Sequence, residues 1–94
     1  MPTFRGKQID IVVDVRSRLE FFLGHLPGAV CIPVDSVVPG ITKRADVAND
    51  SRILVYCASG ARSAAAAAEL KRAGYRNVVD GGGMGAAKQD FRES

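Results

Sequence analysis

A cysteine followed by a short loop and an arginine is the part of the sequence best suited to chemistry. Cys57 follows an apolar run over residues 53–56 and precedes an alanine-rich stretch of helical composition. A thiol between a strand end and a helix start meets converging backbone N–H groups and the positive end of the helix dipole, which favour a thiolate and a bound anion. Arg62 adds a permanent positive charge. This spacing predicts a nucleophilic cysteine that acts on a small anion, with a buried structural thiol as the alternative.

The loop after this cysteine is built mainly from small residues, so its backbone can wrap closely around a ligand. The residues that we predict to bind this anionic substrate are Ala58, Ser59, Gly60, Ala61, Arg62 and Ser63. Among them, Gly60 is expected to serve the backbone geometry and not the chemistry itself.

Short apolar runs alternate with helical stretches along the chain. Strands are predicted over residues 9–13, 29–32, 53–56 and 78–79. Helices are predicted over residues 17–23 and about 62–73, with a short last helix from Met84 and a short helix or irregular crossover around Pro33 to Gly40. This alternation predicts an α/β fold with a parallel sheet, in which ligands bind beyond the carboxyl ends of the strands. Cys57 follows such a strand end, so the fold pattern and the predicted site agree.

The composition is that of one ordinary globular domain. The 94 residues are 47% hydrophobic and 24% charged, and the formal net charge is +3. No window is apolar for long enough to span a bilayer, and the N-terminus lacks the apolar core of a secretory signal. We therefore expect a cytoplasmic protein without a membrane partner. No basic stripe interleaved with aromatic residues indicates a nucleic-acid partner either.

The sequence holds no pattern for a disulfide framework, a metal site or a bound cofactor. One histidine and two widely separated cysteines offer no cluster of metal ligands. The glycine-rich residues 81–85 lack the spacing of a nucleotide-binding loop. Cys31, between two apolar residues of a predicted strand, is interpreted as a reduced core thiol, and a resolving role in oxidation is the alternative.

Five motifs in the same order resemble those of single-domain rhodanese-type sulfurtransferases. They are Asp14-Val15-Arg16, Gly24-His25-Leu26-Pro27-Gly28-Ala29, residues 55–63 around the cysteine, residues 68–75 at the end of the long predicted helix, and Val79-Asp80-Gly81-Gly82. The resemblance covers roughly residues 9–86 and implies that residues 1–94 form one rhodanese-like domain. The fold that it implies is a central parallel sheet of about four to five short strands with helices on both faces.

The resemblance implies sulfur transfer through a cysteine persulfide. The Cys57 thiolate would attack the outer sulfur of an anionic donor, such as thiosulfate or another persulfide donor, and keep it as a persulfide. Loop N–H groups would stabilise the negative terminal sulfur, and cyanide, a cellular thiol or a protein sulfur carrier would then take it. This two-step displacement proceeds through a covalent intermediate, and no cofactor is expected.

Several polar residues in these motifs allow more than one role. Arg62 either binds the donor anion or braces the loop, and Ser63 either bonds to the persulfide or caps the following helix. Asp14 and Arg16 are interpreted as a structural pair or loop brace, with a direct catalytic role as the alternative. His25, the only histidine, is assigned a bracing role in its turn, with a general base for the cysteine as the alternative.

Three features depart from the family pattern. Ala58 directly follows the cysteine, where a cation would strengthen thiosulfate binding, so we expect weaker thiosulfate binding or a different donor. The chain has no Trp, and Ala86 near the place of the family's aromatic residue is small, which predicts an open or mobile wall. Only thirteen residues precede Asp14, so we do not expect the complete first strand and helix that family members usually have.

Two other functions are considered beside sulfur transfer. A phosphatase or arsenate reductase would use a similar cysteine, loop and arginine. Four residues separate Cys57 from Arg62 here, whereas protein tyrosine phosphatases have one more residue between the cysteine and the arginine. A non-catalytic rhodanese-like module would only bind a protein partner, and such modules typically lack the cysteine. A persulfide on Cys57 would argue against the binding module, and phosphate release from a phenyl phosphate would favour the phosphatase.

Overall fold

The computed structural model describes residues 1–93, which form seven short strands and four helices. The strands are β1 (Thr3–Phe4), β2 (Lys7–Gln8), β3 (Ile11–Asp14), β4 (Val30–Cys31), β5 (Arg52–Cys57), β6 (Asn77–Gly83) and β7 (Phe91–Arg92). The helices are α1 (Arg18–Leu23), α2 (Val37–Thr42), α3 (Ala61–Arg72) and α4 (Met84–Asp90), and a single 3-10 turn covers Val34–Ser36. Strands and helices alternate from β3 to α4, so the predicted α/β class is confirmed.

Four of the strands form a parallel sheet in the order β4-β3-β5-β6. Leu54 of β5 pairs with Val12 of β3 on one side and with Val79 of β6 on the other. Residues 53–56 are fully buried, as expected for a strand in the interior of a parallel sheet that is covered on both faces. Cys57 is the last residue of this interior strand and therefore lies at the carboxyl edge of the sheet.

Helices cover both faces of the parallel sheet. Successive residues of a strand point to opposite sides, so a buried strand contributes side chains to the apolar cluster on each face. On one face, Val55 and Leu70 belong to a buried apolar cluster together with residues of α2 and α3. On the other face, Leu54, Tyr56 and Ala87 of α4 belong to a second cluster. None of the helices within residues 1–93 has the length and apolar character needed to cross a bilayer. The prediction of helices on both faces is confirmed.

Strands β2, β1 and β7 form a small antiparallel sheet that joins the two ends of the described chain. Phe4 of β1 pairs with Phe91 of β7, and both side chains are buried. Residues 1–10 contribute two strands of two residues each and no helix.

Strand β6 is longer than the sequence predicts, extending from Asn77 to Gly83 instead of over residues 78–79. Its glycines permit a close approach to β5. A Cβ added at Gly81 would lie 3.0 Å from Leu54 Cδ1, so only a residue without a side chain fits there without local displacement. The strand consequently continues through the glycines and ends at Gly83, which pairs with Cys57.

The prediction that Cys31 is a core thiol is wrong. Cys31 ends β4, which is the edge strand of the parallel sheet and only two residues long. Its side chain is only partly buried and lines a surface cavity together with Arg18 and Lys43. A strand at the sheet edge has a neighbour on one side only, so its last side chain is less enclosed.

Candidate active site

Cys57 is the last residue of β5, and its side chain is fully buried at the carboxyl edge of the sheet. Residues 58–60 form the turn that follows, and α3 begins at Ala61. The N–H of Gly60 donates a hydrogen bond to the Cys57 Sγ at 2.9 Å. Gly60 has a φ of +110°, in the left-handed region that favours glycine, so this residue type suits the turn. The structure thus places the sulfur against a backbone N–H at the start of α3.

The surroundings of this sulfur favour its ionised form. Burial raises the pKa of the Cys57 thiol, because a charged thiolate loses its contact with water. The Ser63 side chain and the N–H groups of Ser63, Gly60 and Ser59 stabilise the thiolate by more than burial disfavours it, so the pKa is lowered overall. A larger fraction of this cysteine is therefore the nucleophilic thiolate at neutral pH than of an ordinary thiol.

Ser63 lies beside the sulfur in the first turn of α3, and its side chain is fully buried. Its Oγ donates a hydrogen bond to the Gly60 carbonyl at 3.0 Å and lies 3.5 Å from the Gly82 carbonyl. The N-cap of α3 is Gly60, so the interpretation of Ser63 as the helix cap is wrong. Ser63 instead joins the turn to β6 and supports the thiolate.

Replacing Ser63 by alanine is expected to raise the apparent pKa of the Cys57 thiol, because a hydroxyl that lowers it is lost. Since the thiolate then forms only at higher pH, its fraction at neutral pH falls and persulfide formation there slows severalfold. Titration of the ultraviolet absorbance of the thiolate measures this pKa. A Cys31→Ala background leaves Cys57 as the only thiol in the signal. An unchanged or lower pKa in the Ser63→Ala variant would contradict the role given to the hydroxyl.

Arg62, the one cationic residue of the loop, binds Glu20 of α1. Its Nη1 and Nη2 donate to the two oxygens of the Glu20 carboxylate at 2.7 and 3.0 Å. The Arg62 side chain is 37% exposed and that of Glu20 is 33% exposed, so the pair lies at the surface of the site. A bidentate ion pair of this kind holds the arginine in one orientation. Of the two roles left open for Arg62, its contacts match the brace.

Glu20 is a residue of the site that the sequence analysis did not identify. Its carboxylate accepts a hydrogen bond from the Ser17 N–H at 3.0 Å, while the Ser17 hydroxyl accepts one from the Glu20 N–H, which makes a capping box for α1. Hydrogen bonds from Arg62 and from Ser17 lower the pKa of Glu20 to about 2, so its carboxylate is ionised at neutral pH. The Ser-x-x-Glu pattern could have indicated the cap. Nothing in the sequence indicates the pairing with an arginine 42 positions away.

Helix α1 is held at the site by polar and stacking contacts, because none of its side chains is buried. Leu19, Phe22 and Leu23 are exposed. Phe21 stacks on His25 with ring centroids 3.7 Å apart, and the His25 Nδ1 lies 2.8 Å from the Phe21 carbonyl oxygen. These contacts place His25 at the end of α1, in agreement with a bracing role in its turn.

Asp14 and Arg16 form a buried ion pair at the carboxyl end of β3. The Arg16 Nη2 lies 2.8 Å from the Asp14 Oδ2, and the Nε and backbone N–H of Arg16 donate to the same carboxylate. The Arg16 guanidinium also donates to the Gly24 carbonyl and lies 5.9 Å from the centroid of the Tyr56 ring. The pair therefore joins the end of β3 to the turn after α1, as a structural brace would.

The end of β6 packs closely against the loop after the cysteine. A Cβ added at Gly83 would lie 2.6 Å from the Ala58 carbonyl oxygen, closer than non-bonded atoms can approach, so a glycine is required for this contact. Helix α4 starts directly after Gly83, and its residues Gly85 and Ala86 are exposed. The exposure agrees with the open wall expected where the family carries an aromatic residue.

Comparison with known proteins identifies the family. A family model described as a rhodanese-like domain matches residues 4–87, which include the cysteine loop and both ion pairs described above. The chain belongs to the rhodanese-like domain family. The resemblance read from the five motifs is therefore confirmed.

Two relatives that resemble this chain over most of its length carry different names. The chain is 33% identical over 84 residues to the tRNA uridine(34) hydroxylase of Pectobacterium carotovorum subsp. carotovorum (strain PC1), which covers 84% of the chain and 24% of that protein. It is 37% identical over 70 residues to a Bacillus subtilis (strain 168) protein named as a sulfur carrier, YrkF, which covers 73% of the chain and 36% of that protein. The chain thus spans about a quarter to a third of the length of these curated relatives.

A solved structure described as rhodanese with anions, from E. coli, has the same fold as this rhodanese-like domain. The TM-score is 0.74 at 26% sequence identity, and the match covers 89% of this chain and 98% of that chain. The predicted rhodanese-like fold is confirmed, with four strands in the central parallel sheet.

Proposed function

We propose that this rhodanese-like domain transfers sulfane sulfur through a persulfide on Cys57. The observation that carries the proposal is the hydrogen bond from the Gly60 N–H to the Cys57 Sγ, 2.9 Å long, at the start of α3. The same turn can stabilise the negative charge of a persulfide, because its N–H groups are already oriented and need no rearrangement. Membership of the rhodanese-like family supports sulfur transfer as the class of reaction.

The reaction consists of two displacements at sulfur. In the first, the Cys57 thiolate attacks the outer sulfur of thiosulfate, a new sulfur–sulfur bond forms, and the bond inside thiosulfate breaks with its electron pair leaving on sulfite. In the second, cyanide or a thiolate attacks the terminal sulfur of the persulfide. The sulfur–sulfur bond to the protein then breaks, thiocyanate or a new persulfide is released, and the Cys57 thiolate is restored.

The partners in this proposal are a small anionic or persulfide sulfur donor and a thiol or cyanide acceptor. A relative named as a sulfur carrier supports a protein thiol as one acceptor. Both cysteines of the chain are free, which supports a reducing compartment such as the cytoplasm.

A phosphatase or arsenate reductase is less well supported by the same geometry. An arginine that binds a tetrahedral oxyanion directs a pair of guanidinium N–H groups at it, whereas Arg62 directs one N–H of each Nη atom at the Glu20 carboxylate. A domain that only binds a partner has no need of a thiol whose pKa is lowered against the effect of burial. Sulfur transfer accounts for both observations.

Thiocyanate formation from thiosulfate and cyanide tests the proposed function. We expect turnover, together with a gain of one sulfur atom in the intact mass after donor treatment and its loss after addition of cyanide. The Cys31→Ala variant serves as a control, since it should still take up the sulfur. Well-folded protein that shows neither turnover nor added sulfur, with thiosulfate or with an organic persulfide, would refute the proposal.

A further inference from the structure

The one permanent positive charge in the cysteine loop is paired with a negative charge. Residues 57–63 contain one charged side chain, Arg62, and the residue directly after the cysteine is Ala58. Both Nη atoms of Arg62 donate to the Glu20 carboxylate, at 2.7 and 3.0 Å. The pair is therefore neutral as a unit.

The remaining charges near Arg62 do not restore a positive field. Besides Glu20, Cys57 and Asp14 act electrostatically on Arg62, and both are acidic. Asp14 is itself matched by Arg16, whose Nη2 lies 2.8 Å away. What remains to hold an anion is a set of short-range dipoles, namely the loop N–H groups and the Ser63 hydroxyl.

Dipoles of this kind distinguish donors by charge. Their attraction falls off steeply with distance, so they stabilise one negative charge on the sulfur next to Cys57 and do little for a second charge farther out. A dianion such as thiosulfate carries a second charge on its sulfonate end, and the Arg62 guanidinium, which is already paired with the Glu20 carboxylate, is not free to offset that charge. A monoanionic donor has no such second charge.

We infer that Glu20 determines the charge of the sulfur donor. By neutralising Arg62 it disfavours dianions such as thiosulfate and leaves monoanions, such as thiosulfonates and organic persulfides, as the preferred donors. This inference rests on the proposed sulfur transfer and adds the class of donor. Glu20 acts through Arg62 and is thus a specificity-determining residue, not a catalytic one.

Glu20→Gln tests the inference because it removes the charge and keeps the shape. Glutamine also completes a capping box, so the start of α1 is retained. The two donors compared are thiosulfate, a dianion, and methanethiosulfonate, a monoanion. Both give their outer sulfur to Cys57, with sulfite or methanesulfinate as the leaving group. We expect the ratio of kcat/KM for thiosulfate to kcat/KM for methanethiosulfonate to rise about tenfold at low ionic strength, and the gain to shrink as salt is added.

Ser17→Ala is the matched control, since it removes the capping hydroxyl and keeps both charges of the Glu20–Arg62 pair. It should leave the donor ratio unchanged even if it lowers the melting temperature. An unchanged ratio in Glu20→Gln, or an equal change in Ser17→Ala, would overturn the inference while leaving the proposed function intact. Failure of the wild-type protein with both donors would refute the proposed function itself.

A measurement on the wild-type protein covers the case in which Glu20→Gln does not fold. Sulfate and methanesulfonate are compared as inhibitors of sulfur transfer from methanethiosulfonate. If Arg62 is neutralised by Glu20, the dianion should inhibit no better than the monoanion. Clearly stronger inhibition by sulfate would show a free cation at the site and would overturn the inference.

Discussion

Replacing Cys57 by alanine is expected to lower sulfur transfer by at least about 10³-fold, to the rate measured without protein. The reason is that Cys57 is the only cysteine at the loop, where its Sγ accepts the Gly60 N–H and the persulfide would form. Initial rates of thiocyanate formation and the intact mass after donor treatment measure the effect. The variant should show neither turnover nor an added sulfur atom.

The matched control for this prediction is Cys31→Ala. Cys31 ends the edge strand β4 and is only partly buried, so its loss should leave the rate of sulfur transfer nearly unchanged. Melting curves of both variants establish that each is folded. Sulfur transfer that persists in folded Cys57→Ala and disappears in Cys31→Ala would show that Cys31, and not Cys57, is the nucleophile.

Replacing Asp14 by alanine is expected to destabilise the protein by roughly 3–5 kcal/mol, because it leaves the guanidinium of Arg16 buried without its partner. The Asp14 side chain is fully buried, and that of Arg16 is 8% exposed. For a domain of this size, such a loss lowers the melting temperature by roughly 12 °C or more. Denaturant or thermal unfolding followed by circular dichroism measures the change.

The chain contains a matched pair at the surface for comparison. Arg44 and Asp46 are also two residues apart and form an ion pair at 3.0 Å, but Asp46 is 65% exposed. Water solvates both groups when the pair is broken, so Asp46→Ala should leave the unfolding midpoint nearly unchanged. Equal destabilisation by Asp14→Ala and Asp46→Ala would show that burial of the Asp14–Arg16 pair does not contribute as described.

The sequence by itself determined the local arrangement around Cys57 and the family of the fold. An apolar run, a turn with Gly60 and an alanine-rich helix follow one another directly, so strand, loop and helix depend on properties of neighbouring residues. The Asp14–Arg16 pair is of the same kind, since its partners are two positions apart. The alternation of short apolar runs with helical stretches was enough to predict a parallel α/β sheet with the cysteine at its carboxyl edge.

Only the tertiary structure decided which partners these groups have. Glu20 and Arg62 are 42 positions apart, and Ser63 meets the Gly82 carbonyl across 19 positions. The partial exposure of Cys31 follows from the place of β4 at the edge of the sheet. Apolar periodicity indicates which face of a strand or helix is buried, but not which polar side chains the packed elements bring together. The donor-charge role inferred for Glu20 arises from such a contact, and therefore only the folded chain contains it.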